Sequence, residues 1–293
     1  MSPGRRVLVL THTGRAEAVA LAAELLERLV EHELQPVMLS KEAADLKELD
    51  GVLDRVELVY DPANACDDTE LVIVLGGDGT ILRAAELVRG TDGPLLGVNL
   101  GHVGFLAERE REDVAEAVER VARRDYTVEE RMTIDVRVTL RGAEIGTSWA
   151  VNEASVEKAN RQRVLEVVTE VDGRPVSNFG CDGVVMATPT GSTAYAFSAG
   201  GPIVSPNVRA LIMTPVSAHM PFDRSLIVDA GDAVRIEVTD RPATVVIDGR
   251  DVGLLEKGDA IICTEAPGSA RFVSLSPRDF YGILKAKFGV ADR

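Results

Sequence analysis

The sequence predicts a chain in two parts, an open parallel α/β sheet followed by an all-β part of sandwich type, with a final helix that returns to the first part. Three observations carry this. Short apolar runs alternate with helical stretches as far as Asp125. From Tyr126 the texture turns to alternating Val- and Thr-rich runs separated by Gly or Asp-Gly turns. Helical spacing then returns at Asp279–Phe288.

In order, Val7–Leu10 is a short apolar strand, and Val19, Ala22, Leu26, Leu29 and Val30 fall on one stripe of a helix over Arg15–Glu31. Further strands are expected at Pro36–Leu39, Leu71–Leu75 and Leu95–Val98, with helices at Ala43–Leu49, Ile81–Val88 and Asp113–Arg124. Strands buried on both faces read as continuous apolar runs, and an open sheet of this kind takes ligands at the carboxyl ends of its strands. The later strands are Thr133–Leu140, Thr147–Val151, Val164–Val171, Val184–Met186, Ala233–Val238 and Thr244–Ile247. Phe280, Ile283, Leu284 and Phe288 give the last helix its spacing. The division is therefore 1–125 with helix 279–291, and 126–278.

Composition narrows the function. With 293 residues and 45% hydrophobic content, the chain can bury one large or two ordinary cores. A net charge of −15 argues against general binding to nucleic acid or anionic membrane, so any phosphate must be held by local features. Cys66, Cys181 and Cys263 lie far apart, without the close pairs of zinc or disulfide frameworks, which suits a reducing cytoplasm. Met1–Arg6 opens straight into a strand, without the pattern of a signal peptide, and no apolar run approaches the span of a membrane helix.

The chemistry concentrates in two stretches. Leu71–Leu75 runs directly into Gly76-Gly77-Asp78-Gly79-Thr80, where glycines between strand and helix let backbone N–H groups face an anion. Alone, this is equally a strand-to-helix turn with Asp78 as a cap. A second stretch, Thr188–Pro202, offers hydroxyls, small residues and the lone ring of Tyr195, a set that suits a sugar and a flat base. Asn152-Glu153 and Asp182 add polar groups where strands end.

At these residues the sequence resembles the ATP-NAD kinase family, of bacterial type. The matching pieces are Gly76–Thr80, Asn99–Leu106, Asn152-Glu153, Asp182-Gly183, the whole of Thr188–Pro202, and His219 with Arg224. They span Arg5 to Phe288. The first element is shared with lipid kinases and phosphofructokinases, whereas the Thr-Pro-Thr-Gly-Ser-Thr-Ala-Tyr run is far more specific. The resemblance implies transfer of the γ-phosphoryl of ATP, or of polyphosphate, to the 2′-hydroxyl of the adenosine ribose of NAD, with Mg2+ or Mn2+.

It also implies roles for residues. Asp78 takes the hydroxyl proton, and Gly76, Gly77, Gly79 and Thr80 hold the donor phosphates, with Arg83 in reach of a phosphate or ribose unless it is a solvated helix residue. Asn152 and Glu153 bind the NAD ribose. Arg163 is a basic NAD contact, although Arg161 and Lys158 compete for that place. Asp182 accepts from the nicotinamide or ribose end, while Thr193, Ala194, Tyr195, Ala196, Phe197 and Ser198 line the adenine and ribose. Gly180 stands where members restricted to NAD carry a bulkier polar or basic side chain, which implies that NADH is used too. Family members assemble as homodimers or homotetramers through the β-rich part, and His219 reads as a subunit or domain contact. Arg250, after Asp248-Gly249, reads as part of a hairpin turn. Two alternatives remain at this stage, a lipid kinase of the diacylglycerol type and a non-catalytic dinucleotide sensor. The first has no use for Thr188–Pro202, and the second has no need to keep Asp78.

Overall fold

The computed structural model describes residues 4–12, 16–46, 50–100, 104–107, 109–110, 113–160, 163–219, 223–276 and 279–289. It forms two compact units, Met1–Glu130 with Ala270–Arg293, and Arg131–Ser269. The first unit holds β1 (Arg5–Thr11), α1 (Ala16–Glu31), β2 (Leu34–Leu39), α2 (Ser40–Asp45), α3 (Asp50–Leu53), β3 (Glu57–Val59), β4 (Thr69–Leu75), α4 (Asp78–Leu87), β5 (Leu95–Asn99), β6 (Arg109–Glu110), α5 (Val114–Arg123) and β7 (Thr127–Arg131). The second holds β8 (Ile134–Leu140), β9 (Ala143–Ala150), β10 (Glu153–Lys158), β11 (Leu165–Val171), β12 (Arg174–Cys181), β13 (Gly183–Ala187), α6 (Tyr195–Ser198), β14 (Ala210–Val216), β15 (Leu226–Asp229), β16 (Val234–Val238), β17 (Ala243–Ile247), β18 (Arg250–Leu255) and β19 (Ala260–Glu265). The chain then returns to the first unit with β20 (Ala270–Ser274) and α7 (Phe280–Phe288).

The first sheet has the order β3-β2-β1-β4-β5-β20-β7, with β6 beside β5. Its central pairs are parallel. From β1 the chain winds outward through β2 and β3, then crosses back to place β4 on the other side of β1. The reversal makes the carboxyl ends of β1 and β4 the natural ligand crevice. Val7, Val9, Leu71, Ile73 and Leu75 pack against Leu21, Leu25 and Leu29 of α1 and Val114, Val118 and Val121 of α5. Each such side chain removed from water stabilises the unit by about 1.5–3 kcal/mol.

Two expectations shift here. Strands β7 and β20 belong to the parallel sheet, although their texture places them in the β-rich part, because an alternating run does not disclose which sheet it joins. Helix α4 begins at Asp78 rather than Ile81, since the glycines that read as turn already include its first turn. The helix expected over Ala43–Leu49 is observed as α2, which starts earlier, at Ser40, and ends at Asp45; residues 47–49 lie outside the described set, and α3 follows from Asp50. The last helix packs back as expected. Phe105 meets the rings of Phe280 and Phe288 at 6.3 and 6.5 Å between centroids, and Lys287 Nζ lies 4.5 Å from the Phe105 centroid.

The second unit is a pair of six-stranded antiparallel sheets, β15-β14-β13-β10-β17-β18 and β12-β11-β16-β19-β8-β9. Ile134, Val136, Val156, Val167, Val184, Met186, Met213, Ile236, Ile247 and Ile261 share one buried cluster formed from both sheets. The other face of the first of these sheets packs Val185, Ala187 and Ile212 against Ala196. The β17–β18 turn has Asp248 and Gly249 at φ of +46° and +76°, the left-handed pair a tight hairpin requires.

Candidate active site

In the first unit, Gly76 continues the sheet by donating its N–H to the Val98 carbonyl at 3.0 Å, and the chain then turns into α4 with Gly77 as N-cap. A Cβ on Gly76 would run into the Thr80 side chain, so glycine there lets the first helical turn close over the strand end. Gly77 and Gly79 are exposed with open space where a Cβ would stand. The N–H groups that a helix start cannot satisfy internally thus lie beside bare backbone, a ready anion cradle.

Asp78 does not cap its own helix. Its carboxylate accepts the N–H groups of Phe105 and Leu106, both at 3.1 Å. This overturns the bland reading of the turn and assigns a purpose to the Asn99–Leu106 stretch, of which residues 101–103 lie outside the described set. Gly104 belongs to the same arrangement, because a Cβ on it would overlap the Asp78 carboxylate. Gly104→Ala should therefore displace that carboxylate and lower several-fold the kcat of any reaction that depends on its position. A kcat equal to that of the parent would show that Asp78 tolerates the shift.

Arg83 is exposed at its head yet tied down, forming an ion pair with the buried Glu42. Glu42 also accepts the Thr11 N–H at 3.0 Å, at the carboxyl end of β1. Burial pushes the Glu42 carboxyl above its ordinary range, opposed by the Thr11 hydrogen bond and the Arg83 charge. Arg83 is therefore no free surface charge, and Glu42, silent in the sequence, is its anchor.

In the second unit, Val151 and Asn152 form a bend that leads into Glu153, the first residue of β10. The Asp248 carboxylate binds this bend, accepting the N–H groups of Val151, Asn152 and Glu153 at 2.8, 2.9 and 3.1 Å. From the other side Thr188 donates its N–H to the Asn152 carbonyl at 2.9 Å and its hydroxyl to the Val151 carbonyl at 2.6 Å. That hydroxyl also accepts the Gly191 N–H at 2.9 Å. Gly191 lies so close that a Cβ would fall on the Asn152 backbone. The two stretches found separately in the sequence are thus one bonded structure.

Glu153 is the most perturbed acid here. Burial first, and the neighbouring Asp248 charge second, push its carboxyl up to about 7, against the Tyr195 N–H that favours its charged form. Its Oε2 is buried with no hydrogen-bond partner among the described residues. An acceptor left unpaired at such cost marks a place where a ligand donor fits. Tyr195 is raised too, by burial and then by Glu157, Asp182 and Glu153, which records how negative this surface is.

The remaining residues divide. Thr193 and Tyr195 are half-buried, and Phe197 and Ser198 are exposed, whereas the Ala196 methyl is buried in the core beneath. Ser192, one of the hydroxyls read as sugar-binding, is instead spent internally on the Pro189 carbonyl and the Val204 N–H. Asp182 pairs with Lys158. Arg163 lines a pocket of about 300 Å³ with Lys158, Asn160, Val164 and Arg241. Of its two rivals, Lys158 is thus engaged and Arg161 lies outside the described residues. Gly180 accepts the His219 N–H at 2.8 Å, and a Cβ on it would touch Val164 at 3.4 Å.

Backbone donors at a helix start beside a held carboxylate are the equipment of a phosphoryl-transfer enzyme, and the acidic, hydroxyl-bearing second unit suits a sugar-containing acceptor. Comparison with known proteins makes this specific. Residues 7–126 match the ATP-NAD kinase N-terminal domain and residues 151–275 the ATP-NAD kinase C-terminal domain. The chain is 50% identical over 294 residues to the NAD kinase of Leifsonia xyli, covering 98% of this chain and 95% of that one. It is 44% identical over 297 residues to the NAD kinase of Mycobacterium tuberculosis, with 98% and 97% covered.

Among solved structures, an NAD kinase from Archaeoglobus fulgidus in complex with ATP superposes with a TM-score of 0.73 at 25% identity, covering 98% of this chain and 100% of that one. A yeast NADH kinase complexed with NADH shares the fold, with a TM-score of 0.90 at 24% identity over 100% of this chain and 90% of that one. The chain belongs to the ATP-NAD kinase family. It is an enzyme that phosphorylates NAD with ATP, and neither the lipid kinase nor the silent sensor is favoured.

Proposed function

We propose that Asp78 is the group that takes the proton from the 2′-hydroxyl of the NAD adenosine ribose as the γ-phosphoryl arrives. The observation that carries this is its carboxylate, held by Phe105 and Leu106 rather than spent on its own helix. A sugar hydroxyl is a poor nucleophile, and a loose phosphoryl transition state asks for alignment and charge neutralisation. Gly76, Gly77, Gly79 and Thr80 hold the donor phosphates through N–H groups, with Arg83 beside them. A divalent ion, Mg2+ or Mn2+, comes bound to the ATP and neutralises phosphate charge. Among the described residues no three His, Cys, Asp or Glu side chains are grouped so as to hold a metal ion.

On the acceptor side, Asn152 and Glu153 take the ribose hydroxyls, Tyr195 and its neighbours the adenine, and Asp182 with Arg163 the far end of the dinucleotide. Incubating the protein with ATP, Mg2+ and NAD and measuring NADP tests the whole scheme, and polyphosphate in place of ATP tests the donor. No NADP with either donor would overturn it.

NADH is a second acceptor in this reading. Gly180 carries no side chain beside Val164, and a Cβ placed on it meets Val164 at 3.4 Å, so the position accepts a side chain at its first atom. Gly180→Arg should shift the NAD to NADH preference by about tenfold, the worth of one pocket contact. Kinetics with both dinucleotides decide it: a parent that rejects NADH, or a variant with unmoved preference, refutes the role.

The enzyme works as a homodimer or homotetramer in the cytoplasm. Val252 and Leu254 on edge strand β18 are exposed, as edges used for association are. All three cysteines are free and buried, in keeping with a reducing compartment. No described helix is long and apolar enough to cross a membrane.

A further inference from the structure

We propose that Asp248 is a positioning residue for NAD, holding the Val151–Glu153 bend so that the Asn152 and Glu153 side chains meet the ribose. The inference rests on the reading of that pair as NAD contacts. From the sequence, Asp248-Gly249 reads as turn chemistry alone, and the turn does form. A left-handed hairpin pair needs no carboxylate, however, and asparagine serves it as well. What an amide cannot do is accept three N–H groups at once through two oxygens, with its other atom a donor.

Asp248 accepts three, from consecutive residues, at 2.8–3.1 Å. The bond returns through the backbone, where the Asp248 N–H donates to the Glu153 carbonyl at 3.0 Å. Because the three donors flank and include the two candidate ribose ligands, the hairpin and the ligand-bearing bend move as one piece. Charge-assisted bonds of this kind are about twice as strong as neutral ones, so the bend is fixed before NAD arrives.

The same carboxylate acts on Glu153 through space. Glu153 is faced by Asp248 from the hairpin, by Glu157 on its own strand and by the Tyr195 N–H and phenol from α6, while Arg250 faces Asp248. Neutralising Asp248 removes a negative neighbour, so Glu153 should ionise at lower pH. A role confined to the turn would not produce that shift.

The test uses the full-length protein with ATP, Mg2+ and NAD. Asp248→Asn should raise the KM for NAD several-fold while the KM for ATP stays within about twofold. The acid limb of kcat/KM for NAD should move to lower pH, and in a Glu153→Gln background the same substitution should leave the profile unmoved. Equal losses for both substrates, or an unmoved acid limb, would overturn the proposal. Should Asp248→Asn not fold, Asp248→Ser carries the same test, and failure of both to fold assigns Asp248 to stability and refutes positioning. Glu153→Ala separates the layers. If it leaves the KM for NAD unchanged, the underlying reading of the pair fails; if it raises that KM while Asp248→Asn does not, only this proposal fails.

Discussion

Asp78→Asn should lower kcat by at least about 10² while NAD affinity stays within a few fold, because the lost group acts on the proton in flight rather than on binding. The structure leaves the helix start intact in this variant, while the amide nitrogen turns a donor toward one of the two N–H groups the carboxylate accepted. The carboxylate does not cap α4, so the helix start does not depend on it. An amide oxygen can still accept from one of the two N–H groups at Phe105 and Leu106. What disappears is the ability to take a proton. Single-turnover formation of NADP, with NAD binding measured separately by calorimetry, separates the two effects. Turnover near that of the parent would remove Asp78 from the chemistry, and a loss confined to NAD affinity would make it a binding group.

Glu153→Ala should raise the KM for NAD by about tenfold or more with far less effect on that for ATP, since hydrogen bonds to a charged group contribute about 1.5–3 kcal/mol each. Its unpartnered Oε2 is the acceptor in question. A pH dependence follows. With the carboxyl held near 7 by burial and by Asp248, the charged form that accepts from ribose hydroxyls is lost as pH falls through that value. The sign is therefore a fall of kcat/KM for NAD on the acid side of about 7. Glu153→Gln, which cannot ionise, should flatten that limb. Equal damage to both substrates, or a collapse in thermal stability, would move Glu153 from the site to the scaffold.

How much of this was legible in the sequence depends on where the information sits. The first strands were, because burial on both faces leaves unbroken apolar runs such as Leu71–Leu75. The Gly76–Thr80 turn was, because close backbone approach leaves glycine as its trace. Strand β10 was not, since Glu-Ala-Ser-Val-Glu-Lys has only Ala154 and Val156 as apolar residues, too few to announce a strand. Strand β18 shows an exposed edge from Arg250 to Leu254 and lacks a buried run to betray it. Of the site residues named from motifs, Asp78 is bonded to the Asn99–Leu106 stretch in the first unit and Asn152-Glu153 to the Thr188 turn in the second, whereas Arg163 lines a pocket and Gly180 bonds His219. Asp248 and Glu42 escaped for a common reason: each binds residues distant in the chain, Asp248 through three backbone N–H groups and Glu42 through the Thr11 N–H and Arg83, and a backbone amide has no letter in the sequence.

The place of β20 in the first sheet has a consequence during synthesis. Parallel order puts Ala270–Ser274 between β5 and β7, with Phe272 beside Leu95, although the chain makes some 140 residues between β7 and β20. The sandwich, Arg131–Ser269, is one continuous insertion and is complete on the ribosome before that gap can be filled. Until residue 274 emerges, β5 has a bare edge over most of its length, the kind of strand that pairs with the wrong neighbour. The first unit is begun first and finished last, so a nascent chain cut short anywhere in the sandwich leaves an unfinished sheet.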